Sequence, residues 1–420
     1  MKKIVLLGLM LALSEWAFGQ FTITGEIRPR AEYRHGFKSL TVENTDAAFF
    51  IEQRSRVYFD YNAERYSFSM SVQDIRLWGE NAQIFKSDNG FFNVFEAWGA
   101  YHFNESWKIK VGRQALDYDN ARILGNLAWA QQSRSHDVAL ITYAKSKSKF
   151  HLGAAFNQED VNARPEPARL ASTFYSGVNN YKTMQYAWFN QGWDKGELSL
   201  LVLNNGIQSP DSTVHFSQTS GLVFKQKMGG TSLMVEGYYQ SGKAASGNDL
   251  AAYMLAVNLG WKVGGSSITI GGDYLSGQDV NSEQNTVFTP LYGTNHKFYG
   301  LMDYFYVGNG FNNVGLIDGY VKFGFKLSEK STLNVHGHQF VAQTDLIDQD
   351  GNSTSNTLGT ELDLVYNLNI DPAVNLKVGY SQMFATNSME LVKNGSKDEL
   401  NNWAWVMLTI KPTLFKKDID

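Results

Sequence analysis

The sequence predicts an all-β protein: a transmembrane, antiparallel, up-and-down β-barrel of about 18 strands, with short periplasmic turns and long extracellular loops. Three observations carry this expectation. First, every second residue from Glu26 to Arg34 is ionic (Glu26, Arg28, Arg30, Glu32, Arg34), and Ile27, Pro29, Ala31 and Tyr33 lie between them. Glu52, Arg54, Arg56 and Asp60 repeat the pattern against Val57, Phe59 and Tyr61. Side chains of a strand alternate faces, so one face is ionic and the other greasy. That suits a wall with lipid on one side and a watery lumen on the other. Second, after the N-terminus no apolar run approaches the ~20 residues of a spanning helix. Third, strand-like segments are separated alternately by very short turns and by longer polar connections.

The elements follow in chain order. Lys2 and Lys3 precede an apolar stretch over residues 4–13, and Ala17, Phe18 and Gly19 supply a small-residue cleavage site. Residues 1–19 therefore read as a secretory signal peptide, and residues 20–420 as one outer-membrane barrel domain of a Gram-negative cell. The chain has no cysteine, which excludes a lipoprotein anchor, a disulfide framework and thiolate metal sites. Aromatic residues make up 14% of the chain, high for a soluble secreted protein and ordinary for a barrel with girdles at both interfaces.

Short turns are expected at residues 62–65, 104–106, 146–148, 194–195, 228–230, 263–265, 328–330 and 371–373. Long connections are expected at 36–48, 79–90, 117–134, 159–180, 278–313, 344–356 and 386–401. The strand count is even only if 278–313 is all loop, although its aromatic run 296–305 looks strand-like. That assignment leaves roughly 22 residues per strand and connection, enough for spanning strands of about 9–11 residues. The last strand is expected near residues 402–412, with Ala404, Val406, Leu408 and Ile410 on one face and Trp403 and Trp405 at an outer girdle.

Two groups of residues are candidates for solute contact. Arg28, Arg30, Arg34, Arg54 and Arg56 fall on one parity of the first two strands, with Glu52 among the carboxylates of the same face. Guanidinium forks bind carboxylate or phosphate bidentately, while interleaved carboxylates limit how tightly an anion is held. The same residues also suit ion pairs that stitch neighbouring strands together, and the two roles are compatible. Every arginine lies at or before Arg169, so the anion-handling chemistry is expected in the N-terminal part of the barrel. The second group comprises Glu96, Arg113, Arg122, Arg134 and Asp137. Residues 117–134 include Ile123, Leu124, Leu127 and Trp129, too apolar for a solvated loop. They read as a loop folded over or into the mouth, with Arg122 and Arg134 lining the path; an external loop packed on itself is the other reading.

Asn334, His336 and His338 share one strand face. His-x-His on a strand can hold a divalent metal, and His beside Ser is the currency of barrel lipases. No serine or acid is paired with them in sequence, so they read as polar lumen lining, with no metal and no catalytic residue assigned.

The run Val111, Gly112, Arg113 and Gln114, followed by Tyr118, Asp119, Arg122, Ile123, Gly125, Trp129, Gln131, Gln132, Arg134, Ser135 and Asp137, resembles the alginate export family of outer-membrane barrels. Residues 25–30, Glu96 to Trp98, His296 to Gly300 and Asp303 to Phe305 support the likeness. The resemblance implies a monomeric barrel of about 18 strands whose electropositive pore passes an anionic polysaccharide such as alginate. The family's exporter plugs its pore with a long periplasmic turn, and only short turns are read on that side here. The expected function is a channel for anionic or sugar-like solutes. Its partners are outer-membrane lipid and the solute; no cofactor, no nucleic acid and no enzyme activity are implied. A general diffusion porin and an outer-membrane barrel hydrolase are the alternatives.

Overall fold

The computed structural model describes residues 19–84, 90–159, 173–175, 180–278, 282–305, 313–348 and 350–419. The signal-peptide assignment therefore lies outside the described residues, except for Gly19, which opens the first strand. In order the strands are β1 (Gly19–His35), β2 (Ala48–Ala63), β3 (Tyr66–Leu77), β4 (Phe91–His102), β5 (Trp107–Gln114), β6 (His136–Lys145), β7 (Ser148–Phe156), β8 (Thr183–Trp193) and β9 (Gly196–Gln208). They continue with β10 (Val214–Met228), β11 (Thr231–Lys243), β12 (Asp249–Val263), β13 (Ser266–Leu275), β14 (Leu316–Lys326), β15 (Ser331–Val341), β16 (Thr357–Asp371) and β17 (Val374–Ala385). The last, β18, runs over Asn401–Ile410 and resumes at Thr413–Ile419.

Each strand pairs antiparallel with its sequence neighbour, and β18 pairs back onto β1, so the sheet closes as an 18-stranded barrel. Closure leaves no backbone edge facing lipid. The connection from β13 to β14 holds no strand among its described residues, only a short 3-10 turn at Asn295–Lys297, as the even count required. Two outward connections, 209–213 and 244–248, are as short as five residues.

The ionic parity faces inward throughout. Starting from Arg28 opposite Arg54, the register carries one continuous set of lumen positions around the wall and returns to Arg30 opposite Met407. The outward positions include Val111, Ile141, Leu152, Val202, Leu255, Ile270, Leu362 and Val406, all exposed on the lipid side. Near the periplasmic turns, Tyr101, Phe103, Trp107, Tyr143 and Trp193 form an aromatic girdle, with Trp107 and Tyr143 ring centroids 4.8 Å apart.

The last strand departs from expectation in two ways. It does not stop near residue 412: Pro412, which has no N–H to give a ladder, sits at a break where its carbonyl accepts from the Gly25 amide at 3.1 Å. Pairing with β1 then resumes to Ile419, opposite Gly19. Trp403 and Trp405 are not girdle residues either. They occupy the lumen parity and are buried, whereas Ala404, Val406, Leu408 and Ile410 take the lipid face.

A glycine is required within β5. Gly112 has φ +124°, and a Cβ there would stand 2.3 Å from the Ala97 carbonyl oxygen. Gly112→Ala is expected to cost about 1–3 kcal/mol of strain, read as a lower urea midpoint for loss of the folded, heat-modifiable band.

The lumen is not an open tube. Residues 115–135 and the described residues 282–305 of the β13–β14 connection turn inward, and Leu116, Ile123, Leu124, Phe288, Tyr299, Met302 and Phe305 form a core inside the barrel. Ile123 and Leu124 are each 1% exposed, so the inward reading of 117–134 holds.

Candidate solute-contact site

The arginine row holds the inward loop. Positive φ at Leu127 (50°) and Ser133 (57°) bends the chain between them so that successive carbonyls point at the wall formed by β1 and β2. Buried carbonyls need donors, and each guanidinium offers five N–H groups. Arg28 donates to the carbonyls of Ala128 (2.8 Å), Trp129 (3.2 Å) and Ala130 (3.1 Å) and to Gln131 Oε1 (2.9 Å). Arg30 donates to the Trp129 carbonyl at 2.9 Å and stacks 4.4 Å over its ring. Arg54 donates to the Gln131 carbonyl (3.1 Å) and to Ser133 Oγ (3.0 Å), and Arg56 reaches Ser133 Oγ at 3.3 Å.

The carboxylates complete the row. Glu26 pairs with Arg54, and Glu32 with Arg30 (2.7 Å) and Arg34 (2.8 Å); Glu52 lies 3.3 Å from Arg30. Arg28 and Arg56 have no carboxylate within ion-pair distance among the described residues, so the row carries net positive charge. The strand-stitching reading and the lumen reading are thus combined in one network. Arg28, Arg30, Arg54 and Arg56 are only 4–6% exposed, so their forks are occupied by the loop. Arg34 is more accessible, packed over Phe37 and Phe50 at 4.2 and 4.7 Å.

The second predicted group separates. Glu96 faces the lumen and accepts from the Ala115 amide at 2.9 Å, which fixes where the chain leaves β5. Arg113 and Asp137 correct the expectation that they line the lumen. They lie on the outward parity at the extracellular strand ends and pair with each other at 3.0 Å, while their neighbours Gln114 and His136 point inward. Arg122 is also not on an open path. It is buried between Glu236 (3.2 Å) and Asp273 (2.8 Å), donates to Tyr299 Oη at 2.8 Å, and lies 3.5 Å from the Phe298 ring centroid. It locks the two inward loops to β11 and β13.

Arg134 is different. Its guanidinium donates to the Gly293 carbonyl at 2.9 Å and has no carboxylate within ion-pair distance among the described residues. Burial pulls its pKa down to about 10, so it remains charged at neutral pH. It borders a cavity of about 530 Å³ above the inward loops, bounded also by Lys38, Trp129, His136, Tyr181, Tyr292, His296 and, at the rim, Arg113 and Asp137. Trp129 stacks on His296 at 4.5 Å, and the Tyr181 and Tyr292 rings meet edge-on at 5.2 Å. His136 Nδ1 and Tyr181 Oη are hydrogen-bonded at 3.0 Å.

Lys38, His136, Tyr181 and Tyr292 do not stand out in the sequence as site residues, and His296 does so only within the run that supports the family resemblance. The signal available was an excess of aromatic and histidine residues in connections too apolar to be solvated. The face each ring presents depends on how the loops dock.

The description "Alginate export" matches residues 20–401. No curated protein matches the sequence. Among solved structures, OccAB4 of Acinetobacter baumannii is 11% identical, with TM-score 0.64 over 95% of this chain and 99% of that one. OccAB1 of the same organism is 12% identical, with TM-score 0.64 over 94% and 97%. OpdK of Pseudomonas aeruginosa, solved with vanillate, is 9% identical, with TM-score 0.62 over 93% and 98%. At such identity the likeness speaks to the barrel fold, and the family match speaks to kinship. By that match over nearly its whole length, the chain belongs to the alginate export family of outer-membrane channels.

Proposed function

We propose that this channel passes anionic, sugar-like solutes, with an acidic polysaccharide such as alginate as the solute class its outer cavity fits best. The observation that carries the reading is Arg134, a half-buried cation without a carboxylate partner among the described residues, set beside the rings of Trp129 and Tyr292 at the wall of the outer cavity. Aromatic rings lining a cavity suit the C–H side of a sugar ring, and the guanidinium donates hydrogen bonds to a carboxylate; together they suit a uronic acid unit. The net positive arginine row beneath the cavity supplies a field that favours anions across the lumen. Because one chain closes the barrel and leaves no unpaired edge, we take the monomer as the working unit.

The test is single-channel recording in planar bilayers with a salt gradient. The unmutated channel is expected to be anion-selective and to be blocked by short oligouronates more strongly than by neutral oligosaccharides of equal length. Arg134→Ala is expected to weaken that block about tenfold or more, as for loss of one charge-assisted contact. Cation selectivity in the unmutated protein would overturn the proposal. A second reading, passage of small organic carboxylates, is favoured by the cavity's size and by the vanillate named with OpdK. It predicts block by monomeric carboxylates with no gain from chain length.

A further inference from the structure

Ahead of the last two strands, β14, β15 and β16 turn a second set of ionisable side chains into the lumen. The register sets Lys322 and Asp363 on either side of His336, and Tyr320 and Glu361 on either side of His338. One ligand atom each from His336, His338 and Asp363 lies within 4.8 Å of the others. The sequence offered no acid for the His-x-His pair, because Asp363 stands 25 residues further on and reaches it only through the β15–β16 pairing.

Two details give this cluster the construction of a metal site. His338 Nδ1 is held by both oxygens of Asp318, at 3.0 and 2.9 Å, which leaves Nε2 as its ligating atom. Carboxylate–histidine pairs of this kind orient imidazole ligands in metalloproteins. Asp363 is 1% exposed; its Oδ1 accepts from Ser381 Oγ, while its buried Oδ2 receives no nitrogen or hydroxyl donor among the described residues and has the Glu361 carboxyl as its neighbour. A buried carboxylate oxygen without a donor is costly unless a cation meets it. Asp318, Glu361 and Asp363 share this patch with Lys322, whose ammonium lies 4.5 Å from the Tyr320 ring centroid; Arg122 is a second cation within electrostatic reach among the described residues.

We propose that His336, His338 and Asp363 form a binding site for a divalent transition-metal ion of the zinc, nickel or copper kind. Two imidazole nitrogens and one carboxylate select against calcium and magnesium, which take oxygen ligands. Ligands on a tetrahedral ion stand roughly 3.4 Å apart, so the three groups close by about 1.4 Å at most, within rotamer reach. His336 is half-buried, and its side leaves a coordination position open to the lumen, for water or a carboxylate of a passing solute. This site is independent of the outer cavity and of which solute the channel passes.

The test uses the full mature chain without a polyhistidine tag, refolded in detergent. Cobalt(II) is added and its visible absorption followed, and zinc affinity is measured by competition with a chromophoric chelator. We expect about one ion per chain, with a cobalt spectrum of low-coordinate nitrogen and oxygen ligation. His336→Ala and His338→Ala are each expected to weaken zinc binding at least 100-fold, and Asp318→Asn roughly 10–100-fold. Heat-modifiability shows that each variant is folded, and His336→Ala, at a half-exposed position, leaves the wall packed should the others fail. The remaining histidines persist in the His336→Ala, His338→Ala double variant. Stoichiometric binding that survives in it, or no stoichiometric binding by the unmutated chain, overturns the proposal.

Discussion

Replacing Arg28 and Arg54 together by alanine is expected to free residues 126–134 from the barrel wall and to give a larger, noisier single-channel conductance. The two side chains donate to four backbone carbonyls, a glutamine and a serine of the loop. Hydrogen bonds from charged donors contribute about 1.5–3 kcal/mol each. Even with strong non-additivity, the loss exceeds the few kcal/mol that hold such a segment in one arrangement. Glu26, which pairs with Arg54, is left as a buried carboxylate and repels the loop carbonyls further. The strand ladder is untouched, so the barrel should still show its heat-modifiable band. Arg54→Lys alone should give an intermediate result, since a point ammonium cannot span Glu26, Gln131 and Ser133 as the planar fork does. Unchanged conductance and noise in the double variant would mean that the loop is anchored by its other attachments, such as the Leu124–Tyr292 bridge and the Arg134–Gly293 contact.

Arg122→Met is expected to be the most damaging single change inside the barrel. Glu236 and Asp273 are both buried, and removing the guanidinium leaves two carboxylates facing each other without a counter-charge. Breaking a buried ion pair by deleting one partner costs about 3–5 kcal/mol, and here two pairs share one cation. The same guanidinium packs on Phe298 and donates to Tyr299, so the 276–315 connection should lose its docking as well. Limited proteolysis of refolded protein is expected to cut that connection in the variant and spare it in the unmutated chain. Arg122→Met combined with Glu236→Gln and Asp273→Asn should regain protection, because the neutral triad carries no stranded charge. A variant as resistant as the parent would show that apolar packing around Ile123, Leu124 and Met302 is sufficient to hold the loops.

Much of this molecule was readable from local alternation. The period of two at Glu26–Arg34 and Glu52–Asp60 identified a wall, its lumen face and its lipid face, because side-chain direction in a strand depends only on position parity. The even strand count required residues 278–313 to be a connection, and the apolar residues of 117–134 spoke against a solvated loop, leaving one folded inward or one packed on itself. Parity assigned within a single strand is fragile at its ends, however. Arg113 and Gln114 are neighbours, and without the pairing register neither can be given a face; the bulge at Phe95 in β4 adds one further residue to the count. Trp403 and Trp405 depart from the girdle expectation for a related reason: tryptophan suits both a membrane interface and a stacked lumen, and only docking against Trp129 distinguishes them.

The sequence thus specified a closed, ionic-lined barrel with one connection too apolar to be solvated, since those properties follow from periodicity and from the burial that apolar residues demand; that the connection folds inward was decided by its docking. How the arginines are used was settled by contacts across about a hundred residues of chain, which no local pattern encodes. The loop carbonyls occupy Arg28, Arg30 and Arg54, whereas Arg134 keeps its charge for the outer cavity. The same holds for His336 and His338, whose acid partners come from the strands on either side. Alternation sets which way a side chain points, and the tertiary pairing sets what it meets there.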